Sequence, residues 1–216
     1  MRHKYPKTYH FEWSDCIFND DKLLKSLDHL EGMEVVVSIK MDGENTTMAK
    51  TYCHARSAYS GYHPSRSWVL NFHGQISYLI PENLRIVGEN LYAQHSIKYD
   101  KNNPLKSYFY CFSIWRQDDN TALSWDETVK WCEKLGLAMP EVLYRGVFDN
   151  KKISEIFKSL DKTKHEGIVV RVTGEIPSEE FSLKVGKAVR KDHVQTDTHW
   201  MNQEVIPNTL DTQIDN

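Results

Sequence analysis

Lys40 stands in the run Ser38-Ile39-Lys40-Met41-Asp42-Gly43-Glu44-Asn45, after a β-branched stretch and just before an Asp-Gly turn. A lysine so placed has its stem fixed by a strand and its amine aimed into whatever cleft the turn borders. A neutral amine can attack phosphorus, but an ordinary lysine is protonated at neutral pH. Burial and nearby cations lower that pKa, and both activate lysines as nucleophiles. Asp42 adds a short carboxylate able to bond a sugar or orient the amine, and Gly43 lets backbone approach a ligand. Taken alone, the four residues also describe an ordinary hairpin turn with a solvated lysine, because short motifs recur by chance.

The residues downstream change that balance. Arg56 lies in His54-Ala55-Arg56-Ser57, and Glu89 ends the run Ile86-Val87-Gly88-Glu89. An aromatic stretch, SYFYCFSIW, fills 107–115. His165-Glu166-Gly167 then opens a second β-branched run, and SLKVGKAVRKDH carries Lys184, Lys187, Arg190 and Lys191. Each has a plain explanation by itself. Arg56 is a surface charge, Glu89 and Glu166 are solvated strand ends, and Phe109 is a core residue.

In this order the set resembles the covalent nucleotidyltransferase domain shared by ATP-dependent polynucleotide ligases and mRNA capping enzymes. That domain has a Lys-x-Asp/His-Gly nucleophile motif, then an arginine, a Gly-Glu strand, an aromatic strand, a Glu-Gly strand and a lysine-bearing strand. The resemblance spans 35–191. Asn45 sharpens it: DNA ligases and capping enzymes usually carry arginine there, whereas the nick-sealing bacteriophage RNA ligases carry asparagine. Asp42 stands where that class has histidine, so the motif is a hybrid.

The resemblance implies an ATP-dependent RNA ligase. Lys40 would attack the α-phosphate of ATP, release pyrophosphate and hold AMP as a phosphoramidate. AMP would pass to a 5′-phosphate end, and a 3′-hydroxyl would then displace it. Lys184 and Lys187 would neutralise the α-phosphate and depress the pKa of Lys40. Glu89 would bond the ribose, Arg56 the sugar or phosphates, and Phe109 would stack on adenine. Ile39, Met41 and Asp42 would complete the nucleotide site. Glu166 would position Mg2+ or Mn2+, directly or through water. Asn45, Arg190 and Lys191 would face the nucleic acid: RNA, as a nicked duplex or an RNA/DNA hybrid. Three other readings stay open: a DNA ligase, a GTP-dependent capping guanylyltransferase, and a non-catalytic nucleotide- or RNA-binding module.

Two of these assignments strain against strand geometry. The RNA ligases space their paired lysines as Lys-x-Lys, whereas here Lys184 and Lys187 are three apart and would face opposite ways on a regular strand. A bulge at Gly186 would restore a common face; without it only one of the two reaches the phosphate. Alternation also puts Phe109, Cys111 and Ser113 on one face and Tyr110, Phe112 and Ile114 on the other.

The elements that must position these residues read as mixed. Segment 22–30 has leucines at helical spacing, and 67–80 has Trp68, Phe72, Ile76 and Leu79 on one face. Ser124 with Glu127 forms a capping box for a helix closed by Gly136. A further helix falls at 153–160. Strands are expected at 34–40, 84–92, 107–115, 166–172 and 181–185, with 46–52 returning from 34–40 as a hairpin. The irregular alternation predicts an α+β fold with largely antiparallel sheets and flanking helices. One domain over 1–206 and a frayed polar tail over 207–216 are expected.

Composition bounds the rest. The 216 residues are 40% hydrophobic with a formal net charge of −3, enough for a folded core and without a global basic footprint. Four scattered cysteines form no CxxC, which argues against a zinc finger or disulfide framework. No segment has the length of a membrane span, and the N-terminus lacks a signal peptide. A monomer in the cytoplasm, or the host cytoplasm for a viral protein, is the expectation. Only 25 residues follow Lys191 and 39 precede Lys40. That leaves no room for an OB domain or an NAD-specific module, and favours ATP in a minimal ligase. His193, His199 and Trp200 fit no metal spacing, and read either as part of the nucleic-acid face or as a terminal segment packing its Trp.

Overall fold

The computed structural model describes residues 2–19, 21–59, 61–191 and 204–211. In chain order the elements are β1 (Tyr9–His10), β2 (Glu34–Lys40), β3 (Glu44–Ala49), β4 (Tyr52–Ala55), α1 (Ser67–Ile76), β5 (Leu84–Asn90), β6 (Phe109–Arg116) and β7 (Thr121–Ala122). Then follow α2 (Trp125–Leu135), β8 (Val142–Val147), α3 (Asn150–Ser159), β9 (Gly167–Val172), β10 (Ile176–Pro177), α4 (Phe181–Lys184) and β11 (Val185–Val189). One sheet has the order β1-β11-β9-β2-β8 and the other β10-β7-β6-β5-β3-β4. Among these strands β1–β11 is the parallel pair and the rest are antiparallel. This is the α+β architecture expected. No described helix is long and apolar enough to cross a membrane.

The local signals explain most of it. Val35, Val36 and Val37 make β2 a buried central strand. Ser124 Oγ accepts from Glu127 N, and Gly136 closes α2 at φ 64°. Asp149 caps α3 by accepting from Lys152 N. One core joins Val35, Val37, Ile168 and Val170 to Ile153 and Phe157 of α3 and to Phe11 of the N-terminal segment. A second joins Met48, Ile86 and Phe109 to α1 and α2, and a third gathers Leu91, Ile97, Tyr99 and Leu105.

Four expectations are corrected. Segment 22–30 is not a helix. His10 N donates to Lys22 O and Leu24 N donates to His10 O, so the N-terminal strand takes the backbone groups that a helix would use internally. β3 does not return beside β2; it pairs with β4 and β5 in the other sheet. Residues 181–184 form a helical turn, and the strand starts at Val185. The tail expected to fray is docked over its described part: Asn208 is buried, its amide donating to Leu91 O at 2.8 Å and Ala93 O at 3.3 Å while its Oδ1 accepts from Tyr99 N. Its short polar side chain satisfies backbone groups that the third core leaves unpaired.

Candidate active site

Because β2 and β3 belong to different sheets, the turn at 41–43 is a crossing between them, and Lys40 sits where they meet. A cleft of about 720 Å³ opens there, within the usual range for a small-ligand site. One wall comes from β2, β9 and β11 through Ile39, Lys40, Val169, Arg171 and Lys187; the other comes from β3, β5 and β6 through Asn45, Glu89 and Phe112. Met41 and Arg56 line it as well. The nucleophile candidate, the arginine, the Gly-Glu carboxylate, the asparagine and one lysine of the last strand thus share one cavity.

The crossing is fixed tightly. Gly43 N donates to Glu89 Oε1 at 3.2 Å. A Cβ on Gly43 would stand 2.3 Å from Asn90 O, so only glycine fits. Asp42 faces away from the cleft. Its Oδ2 accepts from Ile97 N at 2.6 Å and Ser96 Oγ at 2.9 Å, while Asp42 N donates to Tyr99 Oη. This corrects its assignment to the nucleotide: its acceptor capacity goes to holding the 95–99 loop. Gly43 admits the neighbouring strand's backbone at Asn90 and also lines the cleft.

Lys40 Nζ donates to Glu166 Oε2 at 2.5 Å, and Glu166 is 4% exposed. Burial pulls the Lys40 amine down, but the carboxylates of Glu166, Glu89 and Asp42 outweigh it and hold its pKa above the ordinary lysine value. Any depression by the two downstream lysines is therefore outweighed by these acidic groups, Glu166 foremost. Burial, reinforced by Glu166 and Asp42, pushes Glu89 up to about 8 against the pull of Lys40. Burial and the Lys40 charge hold Lys187 below its usual value, opposed by Asp21 and Glu166. Among the described residues, no group of three or more His, Cys, Asp or Glu forms a metal cage. Buried Glu166 and cleft-lining Glu89 are hard oxygen donors, and suit a cation that keeps most of its ligands from water and phosphate.

Four further assigned residues fall outside the cleft. Phe109 is fully buried in the second core, its ring 6.1 Å from that of Phe72 on α1. Phe112, on the face that alternation sets opposite Phe109, takes the cleft position; β6 carries it as an extra residue, between Cys111 opposite Gly88 and Ser113 opposite Val87. The same irregularity turns Ile114 back to the Phe109 side. Lys184 lies on α4 and pairs with Glu180. Gly186 is regularly paired, with no bulge; its missing Cβ leaves room for Phe11 and Leu24. Arg190 and Lys191 follow β11 and do not line the cleft. His193, His199 and Trp200 lie outside the described residues.

The cleft also uses residues that spacing did not reveal. Tyr5, Lys7 and Asp21 come from the N-terminal segment, and His95 from the loop that Asp42 holds. Arg171 is buried at the cleft wall, its guanidinium donating to Phe112 O and lying 5.4 Å from the Trp125 ring. Alternation after Glu166-Gly167 could have found Val169 and Arg171. Nothing local could have found Asp21.

A family model described as RNA ligase matches residues 33–189, and the chain belongs to that family. Its fold is similar to a putative ATP-dependent DNA ligase from Aquifex aeolicus (21% identity, TM-score 0.57), with 87% of this chain and 50% of that one covered. It is also similar to an archaeal ATP-dependent RNA ligase (15%, 0.59, covering 88% and 48%). A third similar structure is Naegleria gruberi RNA ligase with PPi (18%, 0.54, covering 76% and 51%), a ligase also solved as variants with ATP and Mn. The chain spans about half the length of these solved structures. Among curated proteins no sequence matches.

Proposed function

We propose that this protein is an ATP-dependent RNA ligase in which Lys40 carries AMP. The observation that carries the reading is the meeting of Lys40, Lys187, Arg56 and Glu89 at one cleft, with buried Glu166 bonded to Lys40, in a chain of the RNA ligase family. The adenine would lie at the Phe112–Val169 end, with Arg171 offering fixed donors to acceptors on the base edge. Glu89 would address the ribose. Arg56 and Lys187 would meet the phosphates, where fixed cations stabilise charge that builds during transfer.

In the first step Lys40 Nζ bonds to the α-phosphorus while the bond to the pyrophosphate oxygen breaks. The amine gives up its proton, and pyrophosphate carries away the electron pair. AMP then passes to a 5′-phosphate, and a 3′-hydroxyl displaces it, with Asn45 near the joined ends. Glu166 holds the amine in line until ATP arrives, and with Glu89 would hold a divalent cation. ATP and Mn in the Naegleria gruberi ligase support that cofactor class. The chemistry such a cation supplies is positive charge beside amine and phosphates, favouring the neutral amine and the leaving group. Asn45 favours RNA ends at a nick.

The test is incubation with labelled ATP or GTP and Mg2+ or Mn2+. An acid-labile AMP adduct, lost in Lys40→Ala, is expected. A GMP adduct points to capping, and no adduct with either overturns the enzyme reading. Joining of nicked RNA, nicked DNA and single-stranded RNA then ranks the substrates.

A further inference from the structure

The family match begins at residue 33, yet the preceding segment reaches the cleft. β1 runs parallel to β11 with His10 opposite Lys187. Residues in register on neighbouring strands present their side chains on the same face. Asp21 stands against both: its Oδ1 is 3.3 Å from His10 Nε2 and 3.9 Å from Lys187 Nζ. Its Oδ2 accepts from Phe18 N at 3.0 Å.

The far side of His10 is tied to the same strand. His10 Nδ1 is 3.0 Å from Ser14 Oγ, and that oxygen accepts from Val189 N at 2.9 Å, two residues past Lys187. The backbone of His10 bonds to two residues just after Asp21, Lys22 and Leu24. A closed circuit results: Lys187 to Asp21, to His10, to Ser14, and back to the strand at Val189. His10 is 1% exposed and the Asp21 side chain 12% exposed, so solvent screens little of it.

We propose that Asp21, backed by His10, is a positioning pair that aims the Lys187 ammonium at the phosphate end of the cleft. The inference rests on the reading of Lys187 as a phosphate-binding group. Lys40, Arg56 and Lys187 are three cations lining one cavity. Without an anion behind it, Lys187 is repelled by the other two and is free to swing. Asp21, at the cleft wall and bonded to the N-terminal segment, is placed to oppose that. The plainer reading is that Asp21 and His10 only anchor the N-terminal segment, and the two differ in what they couple to.

The test is single-turnover adenylation at saturating ATP on the full chain. Asp21→Asn is expected to lower the rate constant by about tenfold, as misplaced catalytic groups do, with the ATP KM little changed and the melting temperature within a few degrees. Asp21→Glu is expected to restore much of the rate. The double variant Asp21→Asn/Lys187→Ala should be no slower than Lys187→Ala, because coupled residues are not additive. If Asp21→Asn does not fold, Asp21→Ser is read the same way. Wild-type rates in the Asp21 variants, or losses that multiply in the double variant, overturn the pair's role and leave the ligase reading standing. No adduct from the wild-type chain overturns both.

Discussion

At the scale of single residues, the ligand-free cleft holds Lys40 in the wrong protonation state for attack. Its pKa is raised, so neutral amine is scarce at pH 7 and grows as pH rises. Single-turnover adenylation should therefore climb from pH 7 to 9 and fall toward pH 6. A flat profile in quench-flow would contradict this. Glu89 gives a stability prediction of definite sign. Its folded pKa, about 8, is above the unfolded value near 4.5, so the folded state binds the proton more tightly. Its contribution is present below pH 4.5 and is lost as pH rises through about 8. Glu89→Gln should accordingly raise the melting temperature at pH 9 by a few degrees and change it little at pH 4.

Phe109 and Phe112 separate a packing role from a ligand role. Phe109→Ala opens a cavity in the second core and should cost about 3–5 kcal/mol in denaturant unfolding. Phe112→Ala should instead raise the ATP KM about tenfold with a smaller loss of stability. The reverse pattern would move the base to the other face. These two residues also mark what was legible in the sequence. The aromatic strand and its two faces were plain, but which face met the cleft depended on the second core packing against the other side of the sheet. Lysine spacing misled for a similar reason: Lys184 belongs to a helical turn, so strand alternation never applied to it.

At the scale of elements, β2, β5, β6, α2 and β9 could be read because hydrophobic patterning and caps are local signals. Segment 22–30 was misread because its leucines serve a loop held by β1, a contact made across the fold. The β2–β3 hairpin failed because Asp-Gly turns usually reverse a chain within one sheet, and here the turn moves it between sheets. Asp42 should therefore matter to structure more than to substrate contact. Asp42→Asn replaces a carboxylate that accepts from Ile97 N and Ser96 Oγ. A loss of about 1.5–3 kcal/mol is expected, measurable by urea unfolding. Ser124→Ala is the contrasting case. It should cost about 1 kcal/mol through the α2 cap and leave adduct formation unchanged.

For the molecule as a whole, chain segments distant in sequence complete the domain. Asn208 bonds to Leu91, Ala93 and Tyr99, and Leu210 packs on the third core. Removing residues 204–216 should lower the melting temperature by several degrees, as loss of buried hydrogen bonds and apolar contact requires. An unchanged melting curve would show that the segment contributes nothing. The N-terminal segment plays the matching part on the other side, supplying Tyr5, Lys7 and Asp21 to a cleft whose motif residues all lie later in the chain.

The crossing at 41–43 gives the domain a mechanical property. Lys40 and Glu166 belong to one sheet, since Lys40 pairs with Gly167. Glu89 and Phe112 belong to the other. The amine and its counter-ion thus ride on one plate, and the residues proposed to meet ribose and base ride on the second. If the plates rock about the crossing, the nucleotide's seat widens or narrows while the ion pair stays intact. Loading and releasing a nucleotide can then proceed without dismantling the group that reacts with it.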